Sequence, residues 1–309
     1  MHIATFRKLA ATLLAGVLIA GSATAQEVTV EHAQGTTSVP VNPAVVFSYD
    51  YASIDTLTSL GVTVTGAPPL SGRSPSWVPE GMIDIGSLFE PDYEEINATQ
   101  PDLTIVAGRS ADAYRELSRM VPTIDLTFAD DLYGGLKANT RILAEIFGKE
   151  AEAGEALAAL ENRIERLRPV VAEGGNGLLL MVSGGSLSLL NPSTATAGRG
   201  ALLFQTLGLE PTIADVESAT HGEPVSFEFL LRYDPDWLFV IDRDAAIGTE
   251  DAQPAAAVLD NELMRQTAAW QNDRIVYVDP FNWYIISGAG LNTMNEMLDE
   301  IETAYGQLN

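Results

Sequence analysis

The chain has 309 residues, with 42 Asp or Glu against 17 Lys or Arg, no Cys, and a formal net charge of −25. The lack of cysteine excludes disulfides, thiolate metal sites and a lipid-modified cysteine after a signal segment. So acidic a surface repels nucleic acid and anionic membranes, and we expect neither as a partner.

The first 25 residues predict a secretory signal peptide. Arg7 and Lys8 form a short basic start, an apolar run follows to Ala20, and small residues lead up to Ala25. The run is shorter than the ~20 apolar residues of a spanning helix, and no later stretch approaches that length. We therefore expect cleavage near Ala25, export to the periplasm and no membrane insertion. The mature chain would then carry 15 basic and 42 acidic residues, a formal charge of 15 − 42 = −27.

Strands and helices alternate from about residue 45 onward. A β-rich run ends at Ser48, and Ile54, Leu57 and Leu60 then share one helical face before a stop at Gly61. Two further helix and strand pairs follow, in "EPDYEEINATQPDLTIVAG" and "ADAYRELSRMVPTIDL". Such alternation predicts a parallel sheet with helices on both faces.

One long helix is predicted from Lys149 to Val171, ending around Pro169 and the Gly-Gly pair that follows. Beyond it the alternation resumes, and an amphipathic helix closes the chain, with Leu291, Met294 and Leu298 on one face. The predicted fold class is α/β, with two lobes that each have a central, mainly parallel sheet flanked by helices, joined by a single long helix. The predicted boundaries are 1–25 for the signal peptide, 26–147 for the N-terminal lobe, 148–172 for the connecting helix and 173–309 for the C-terminal lobe.

The two predicted lobes share a set of residues at the same spacing. Each has a Glu, a Pro-Asp pair seven residues later, an apolar strand, and an Arg fifteen residues after the Glu. A Pro-Asp turn alone is common in helix-turn-strand units, but matching Glu and Arg positions are more specific. Ligands bind beyond the carboxyl ends of parallel strands, so both arginines are expected at one shared cleft. The two sets are Glu94, Pro101-Asp102 and Arg109, and Glu228, Pro235-Asp236 and Arg243.

Motifs for several enzyme classes are missing. There is no phosphate-binding loop, no H-E-x-x-H zinc motif, and no nucleophile elbow around Ser183, Ser186 or Ser188. A carrier of bare zinc or manganese would need several imidazoles. Outside the signal segment only His32 and His221 remain, and we expect His32 to be structural.

The segment "DPFNWYIISGAG", Asp279 to Gly290, places three aromatic residues at a strand's carboxyl end, just before the last helix. Residue type alone favours packing under that helix for Phe281 and Trp283. For Tyr284 the core and the cleft remain equally open.

The chain resembles the periplasmic ferric-siderophore-binding proteins of iron-uptake ABC transporters, and more narrowly the catecholate-siderophore branch of that class. Their helical-backbone class also includes cobalamin and haem binders. The resemblance runs over nearly the whole mature chain. It is carried by "IGSLFEPDYEEINATQPDLTIVAGR", "THGEPVSFEFLLRYDPDWLFVIDRDAAIG" and "VYVDPFNWYIISGAGL".

The resemblance implies roles for particular residues. His221 and Tyr284 match the two protein ligands that complete the ferric coordination sphere when the siderophore leaves sites open. A basic triad would receive the anionic chelate, and we also place Trp283 beside it. An acidic residue on each lobe would dock to arginines of the inner-membrane permease. The triad is Arg109, Arg199 and Arg243, and the docking residues are Glu94 and Glu228.

The resemblance implies no intrinsic cofactor, because Fe(III) arrives as a siderophore complex, and we expect a monomeric binding protein without catalysis. A connecting helix stiffens the joint, so only a small closure is expected.

Several alternatives stay open. A six-donor siderophore would leave His221 no site, and it would then be a loop histidine. The ligand could be haem or another anionic chelate, or the chain could be an exported α/β hydrolase acting on siderophores. The loop from Pro69 to Gly81, with Arg73 and Trp77, is assigned to the cleft rim from composition.

Overall fold

The computed structural model describes residues 26–70, 75–128, 131–192, 199–216 and 221–306. The predicted signal segment and Arg73 lie outside the described residues. No helix within the described ranges is long and apolar enough to cross a membrane.

The described chain begins with an antiparallel hairpin of β1 (Glu27–His32) and β2 (Gly35–Pro40). The imidazole Nε2 of His32 lies 2.8 Å from the Thr37 hydroxyl, which in turn donates to the carbonyl of Thr123. The ring also packs 5.4 Å from that of Tyr114, and burial lowers the pKa of His32. These contacts match the structural role predicted for His32.

The first lobe is built on a five-stranded sheet in which every strand pairs in parallel, in the order β5-β4-β3-β6-β7. The predicted helical face is buried, and Gly61 follows the first helix with φ of 74°. The strands are β3 (Val46–Ser48), β4 (Gly66–Ala67), β5 (Ile83–Asp84), β6 (Leu103–Val106) and β7 (Thr123–Asp125). The helices are α1 (Tyr51–Ser59), α2 (Tyr93–Thr99), α3 (Tyr114–Leu117) and α4 (Leu132–Phe147), with a 3-10 turn at Gly108–Ala113.

The long helix α5 (Glu150–Glu173) leads from the first lobe to the second. It runs four residues past Pro169, where the sequence suggested an end, because Val171 is buried beyond the proline and Gly174 forms the cap. Arg163 of this helix is half-buried and donates to carboxylates of the last helix at Glu302 and Asp299. These charge-assisted bonds tie α5 to the second lobe.

The second lobe has a six-stranded sheet in the order β11-β9-β8-β12-β13, with β10 also paired to β8. Strands β8, β12 and β13 are parallel, and the hairpin strand β9 reverses direction. The strands are β8 (Asn176–Ser183), β9 (Ser186–Leu189), β10 (Glu210–Pro211), β11 (Glu223–Val225), β12 (Trp237–Asp242) and β13 (Ile275–Tyr277). The helices are α6 (Phe227–Tyr233), α7 (Arg243–Ile247), α8 (Ala255–Leu259), α9 (Ala268–Gln271) and α10 (Leu291–Gly306), with a 3-10 turn at Met264–Gln266 and π-helical turns at Leu202–Thr206 and Phe281–Ile286. The predicted fold class is confirmed.

The repeated spacing in the sequence corresponds to a repeated structure. Helices α2 and α6 each have seven residues, and each ends at a residue in the left-handed region, Gln100 and Asp234. After each turn, an aspartate holds the backbone where the neighbouring strand begins. Asp102 accepts from the N–H groups of Ala44 and Val45 at 2.9 Å, and Asp236 accepts from that of Asn176 at 3.0 Å.

A buried carboxylate joins the two lobes away from the arginines. Asp55 of α1 is fully buried and accepts from the backbone N–H groups of Asn292 and Thr293, at 2.6 and 2.8 Å. It thereby caps the first turn of α10, which belongs to the other lobe. Burial raises the pKa of Asp55 to about 6, although the hydrogen bonds from Thr293 and Asn292 lower it.

Candidate ligand-binding cleft

The three predicted arginines converge from different elements. Arg109 lies in the 3-10 turn after β6, and Arg243 is the first residue of α7, directly after β12. Arg199 lies in the turn before the π-helical Leu202–Thr206. Burial lowers the pKa of Arg199, and the nearby charges of Arg109 and Arg243 lower it further while Tyr284 raises it. The fold thus concentrates positive charge within a strongly acidic protein.

Tyr284 lies at the centre of these arginines. The guanidinium carbon of Arg199 is 4.4 Å from the tyrosine ring centroid, and that of Arg243 is 5.6 Å from it. The Nε of Arg243 also donates to the tyrosine hydroxyl at 2.9 Å. The side chain is buried, on the π-helical turn Phe281–Ile286, a kind of distortion that is frequent at functional sites. Tyr284 thus contacts Arg199 and Arg243, and its side chain also belongs to the buried core of the second lobe.

A chain of polar contacts positions Arg243. Its Nη1 donates to the Ser183 hydroxyl at 3.2 Å, and that hydroxyl donates to Asp244 at 3.1 Å. The second carboxylate oxygen of Asp244 accepts from the Gly184 N–H at 2.6 Å. The sequence reasoning missed this support, because it weighed Ser183 only as a nucleophile. The "RD" pair of Arg243 and Asp244 was the available signal.

Arg109 makes a different kind of contact. Its side chain is exposed, and its Nη2 donates to the backbone carbonyl of Ile285. That carbonyl belongs to the turn that carries Tyr284. Arg109 therefore reaches from the first lobe to the second, next to the tyrosine.

The structure corrects the prediction that Trp283 contacts the ligand. Its side chain is 0% exposed and packs in the core of the second lobe against Phe239, with ring centroids 6.4 Å apart. The indole N–H donates to Glu300 of α10 at 2.8 Å. Asn282 donates to Glu296 on the same helix, also at 2.8 Å. Trp283 thus holds the turn that presents Tyr284.

Glu300, which accepts from Trp283, is a half-buried carboxylate. Burial raises its pKa to about 7, although hydrogen bonds from Asp279 and Trp283 lower it. The nearby carboxylates of Asp279 and Glu296 raise it further. The turn bearing Tyr284 is therefore held by a group that titrates near neutral pH.

No hydrogen bond or ring contact joins His221 to Tyr284 among the described residues. His221 is exposed, two residues before β11, and among the described residues it makes no hydrogen bond or ring contact. The preceding residues 217–220 lie outside the described ranges. No group of three or more His, Asp or Glu residues suited to a metal occurs in the described part of the chain.

The two predicted docking glutamates occupy matched places. Glu94 and Glu228 are exposed, and each is the second residue of its seven-residue helix. Hydrogen bonds from its own backbone N–H and from the Ser226 hydroxyl lower the pKa of Glu228. Of the loop assigned to the rim, Trp77 is half-buried and contacts Phe281 edge-on, at 6.2 Å between ring centroids.

Comparisons with known proteins agree with this fold. A model of the periplasmic binding protein family matches residues 46–281. The petrobactin-binding protein YclQ of Bacillus subtilis (strain 168) is 33% identical over 285 residues, which cover 90% of this chain and 88% of YclQ. Its crystal structure has a TM-score of 0.81 to this fold.

Two further crystal structures are similar over most of the chain. A TroA-like periplasmic binding protein from Xylanimonas cellulosilytica is 42% identical, with a TM-score of 0.82, covering 88% of this chain and 92% of that one. The periplasmic catecholate-siderophore binding protein VctP from Vibrio cholerae is 25% identical, with a TM-score of 0.80, covering 90% and 100%. The chain belongs to the periplasmic binding protein family.

Proposed function

We propose that this periplasmic binding protein captures a ferric siderophore of the catecholate type between its lobes and delivers it to the permease of an ABC transporter. The observation that carries the proposal is the convergence of Arg109, Arg199 and Arg243 around Tyr284. Among the relatives, YclQ is a petrobactin-binding protein and VctP a catecholate-siderophore binding protein. Both support this ligand class.

The electrostatics favour an anionic chelate. A ferric catecholate is an anion, and a chain with a formal charge of −25 repels it at long range. Three guanidiniums in one place invert that field locally. Arginine also offers a fixed, planar set of donors that suits the oxygens of a chelate.

Tyr284 and His221 are the protein donors that we assign to iron. Tyrosine is an established iron ligand in proteins. The charge of a bound ferric ion favours the deprotonated phenol. A four-donor siderophore leaves two sites on iron for these side chains, whereas a six-donor siderophore leaves none. The protein itself needs no resident cofactor, because Fe(III) enters as cargo.

The architecture suits a binding protein with little closure. We assign residues 26–147 and 173–309 to the two lobes and 148–172 to the connecting segment. Arg163 fixes α5 to α10, and Asp55 fixes α10 to the first lobe. Because the lobes are braced at both places, only a small closure is expected on binding.

Delivery requires a second surface. We assign Glu94 and Glu228 to docking, one on each lobe, against arginines of the permease. The same proposal places the mature chain in the periplasm as a monomer that performs no catalysis.

The test is a titration of the chain Gln26 to Asn309 with a tetradentate ferric catecholate, a ferric hydroxamate and haem. Tryptophan quenching and visible circular dichroism are followed together. We expect tight binding of the catecholate and a chiral charge-transfer band that Tyr284→Phe removes. The matched control Tyr233→Phe changes an exposed tyrosine and should keep the band.

Two results would count against parts of the proposal. Binding of haem alone would discard the roles of Tyr284 and His221 while keeping the transport role. An unchanged affinity and spectrum in His221→Ala would remove His221 from the coordination sphere.

A further inference from the structure

The turn between β5 and α2 presents Phe89 to solvent. Its side chain is 71% exposed, more than any other large hydrophobic side chain in the described part of the chain. Tyr93, at the start of α2, is 40% exposed and directly precedes Glu94. We call Phe89 and Tyr93 the aromatic patch.

The exposure of Phe89 does not come from a loose loop. Hydrogen bonds close the turn at 3.0 Å from the Ser87 N–H to the Glu90 carbonyl, and at 2.9 Å from the Glu90 N–H back to the Ser87 hydroxyl. At its base, the Ile85 carbonyl accepts from the Asp92 N–H and the buried Tyr49 hydroxyl, both at 2.8 Å. The turn is built before any partner arrives, so docking would cost little ordering entropy.

Glycine is required inside this turn. Gly86 has φ of 91°, in the region that side chains disfavour, and a Cβ there would lie 2.5 Å from the Glu90 carbonyl oxygen. The conformation that exposes Phe89 therefore requires glycine at position 86.

The aromatic patch lies on the first lobe, which also carries one of the three arginines, Arg109. The turn follows the carboxyl end of β5, just as Arg109 follows the carboxyl end of the parallel strand β6. Glu94 is only five residues beyond Phe89. The aromatic patch and the docking glutamate of the first lobe thus belong to one rim.

Among the described residues of the second lobe, no large hydrophobic side chain is as exposed as Phe89. There, Phe227 and Phe229 flank Glu228, but both are partly buried and pack against the core of that lobe. In the described part of the chain, the most exposed aromatic side chain near a docking glutamate is therefore on the first lobe.

We propose that Phe89, supported by Tyr93, is an apolar anchor that seats the first lobe on the membrane permease. This inference rests on the proposed transport function. The partner surface would be an apolar pocket with basic residues around it, because Glu90, Asp92 and Glu94 surround the anchor with negative charge. Buried aromatic anchors of this kind commonly dominate docking energies.

A second copy of this chain is a poorer occupant. Two surfaces of a protein with a formal charge of −25 repel each other at this acidic rim. The permease must also face the cleft mouth on both lobes to receive the ligand, which places it over the aromatic patch.

The experiment measures docking of the mature chain to its permease, with the ATPase subunits, in lipid nanodiscs, and uptake of the ferric chelate into proteoliposomes. Phe89→Ser should weaken docking at least tenfold. It should leave the affinity for the chelate in solution unchanged. Phe89→Trp should restore docking, because a large aromatic side chain is retained. The control Tyr277→Ser removes another exposed aromatic residue, 44% exposed and outside both helices that carry the docking glutamates, and should have no effect.

Three results would overturn the inference while leaving the proposed function intact. Normal docking and uptake by Phe89→Ser would show that the anchor is dispensable. A weakened affinity of Phe89→Ser for the chelate would place Phe89 in the ligand site. Self-association of the wild-type chain that Phe89→Ser abolishes, with normal docking, would identify a second copy as the partner. Failure of the wild-type chain both to bind any ferric chelate and to dock would overturn the proposed function together with this inference.

Discussion

In the first lobe, the unit that begins at Glu94 ends with an exposed Arg109, whose guanidinium reaches the Ile285 carbonyl of the other lobe. In the second lobe, the unit that begins at Glu228 ends with a half-buried Arg243, held between Tyr284 and Ser183. The two units have the same spacing and the same aspartate anchor. The shared helix-turn-strand unit therefore determines the backbone position of each arginine. The turn or helix that follows the strand determines which groups the guanidinium contacts.

The different contacts of Arg109 and Arg243 come from the few residues that follow strands β6 and β12. Strand β12 leads directly into α7, so Arg243 is fixed by the helix and stays over its own sheet. Strand β6 instead leads into a 3-10 turn through Gly108, with φ of 50°, which sends Arg109 outward. Arg243 is therefore held in place before a ligand binds. Arg109 must either break its hydrogen bond to the Ile285 carbonyl or keep it while also donating to the ligand.

The largest expected effect separates the two arginines. Arg243→Gln should weaken binding of a ferric catecholate by roughly a hundredfold, and Arg109→Gln by roughly tenfold, since a charge-assisted hydrogen bond contributes about 1.5–3 kcal/mol. Arg243 also holds Tyr284, so its loss removes a second contact. Fluorescence titrations at one fixed salt concentration measure both. Equal losses in the two variants would show that the different surroundings do not matter.

A second prediction concerns Glu300, which supports the turn bearing Tyr284 in the second lobe. The pKa of Glu300 is about 7 in the folded protein, against an ordinary value of 4.5. Between these pH values the folded chain binds more protons than the unfolded chain, so this group lowers the free energy of unfolding as the pH rises. Glu300→Gln does not titrate and can still accept from Trp283. Its stability relative to wild type should therefore rise between pH 4.5 and 7, by about 2 kcal/mol.

Urea unfolding at a series of pH values measures this difference. Glu262→Gln, which removes one negative charge at an exposed position, is the control and should show no such rise. A difference between Glu300→Gln and wild type that stays constant with pH would contradict the prediction.

The smallest effect tests whether the two units are truly equivalent. Asp102→Ala releases two backbone N–H groups and Asp236→Ala releases one, in each case near the start of a neighbouring strand, and each variant should lose about 1–2 kcal/mol of stability. Because the two sites lie in different lobes, the double variant should show the sum to within about 0.5 kcal/mol. Urea unfolding of the three variants measures this. If Asp102→Ala lowers the free energy of unfolding and Asp236→Ala does not, the two units are not structurally equivalent.

Much of the fold could be predicted from the sequence because its signals are local. Alternating strands and helices, the apolar face of α10 and the matched Glu and Arg spacing all depend on residues close together in the chain. Backbone periodicity and turn chemistry express themselves over such short distances. The arginines were expected at strand ends for the same reason, and Arg109 and Arg243 are found there.

Neighbouring residues of one turn show what only the tertiary structure decided. Trp283 and Tyr284 are adjacent aromatic residues, yet the first packs under α10 and the second lies between arginines. The partner of Trp283 is 17 residues away along the chain, and Asp55 caps a helix 237 residues away. Contacts between such distant residues leave no periodic pattern in the sequence. Residue types, spacing and charge therefore determined which side chains could form the cleft, and long-range packing decided which of them face it.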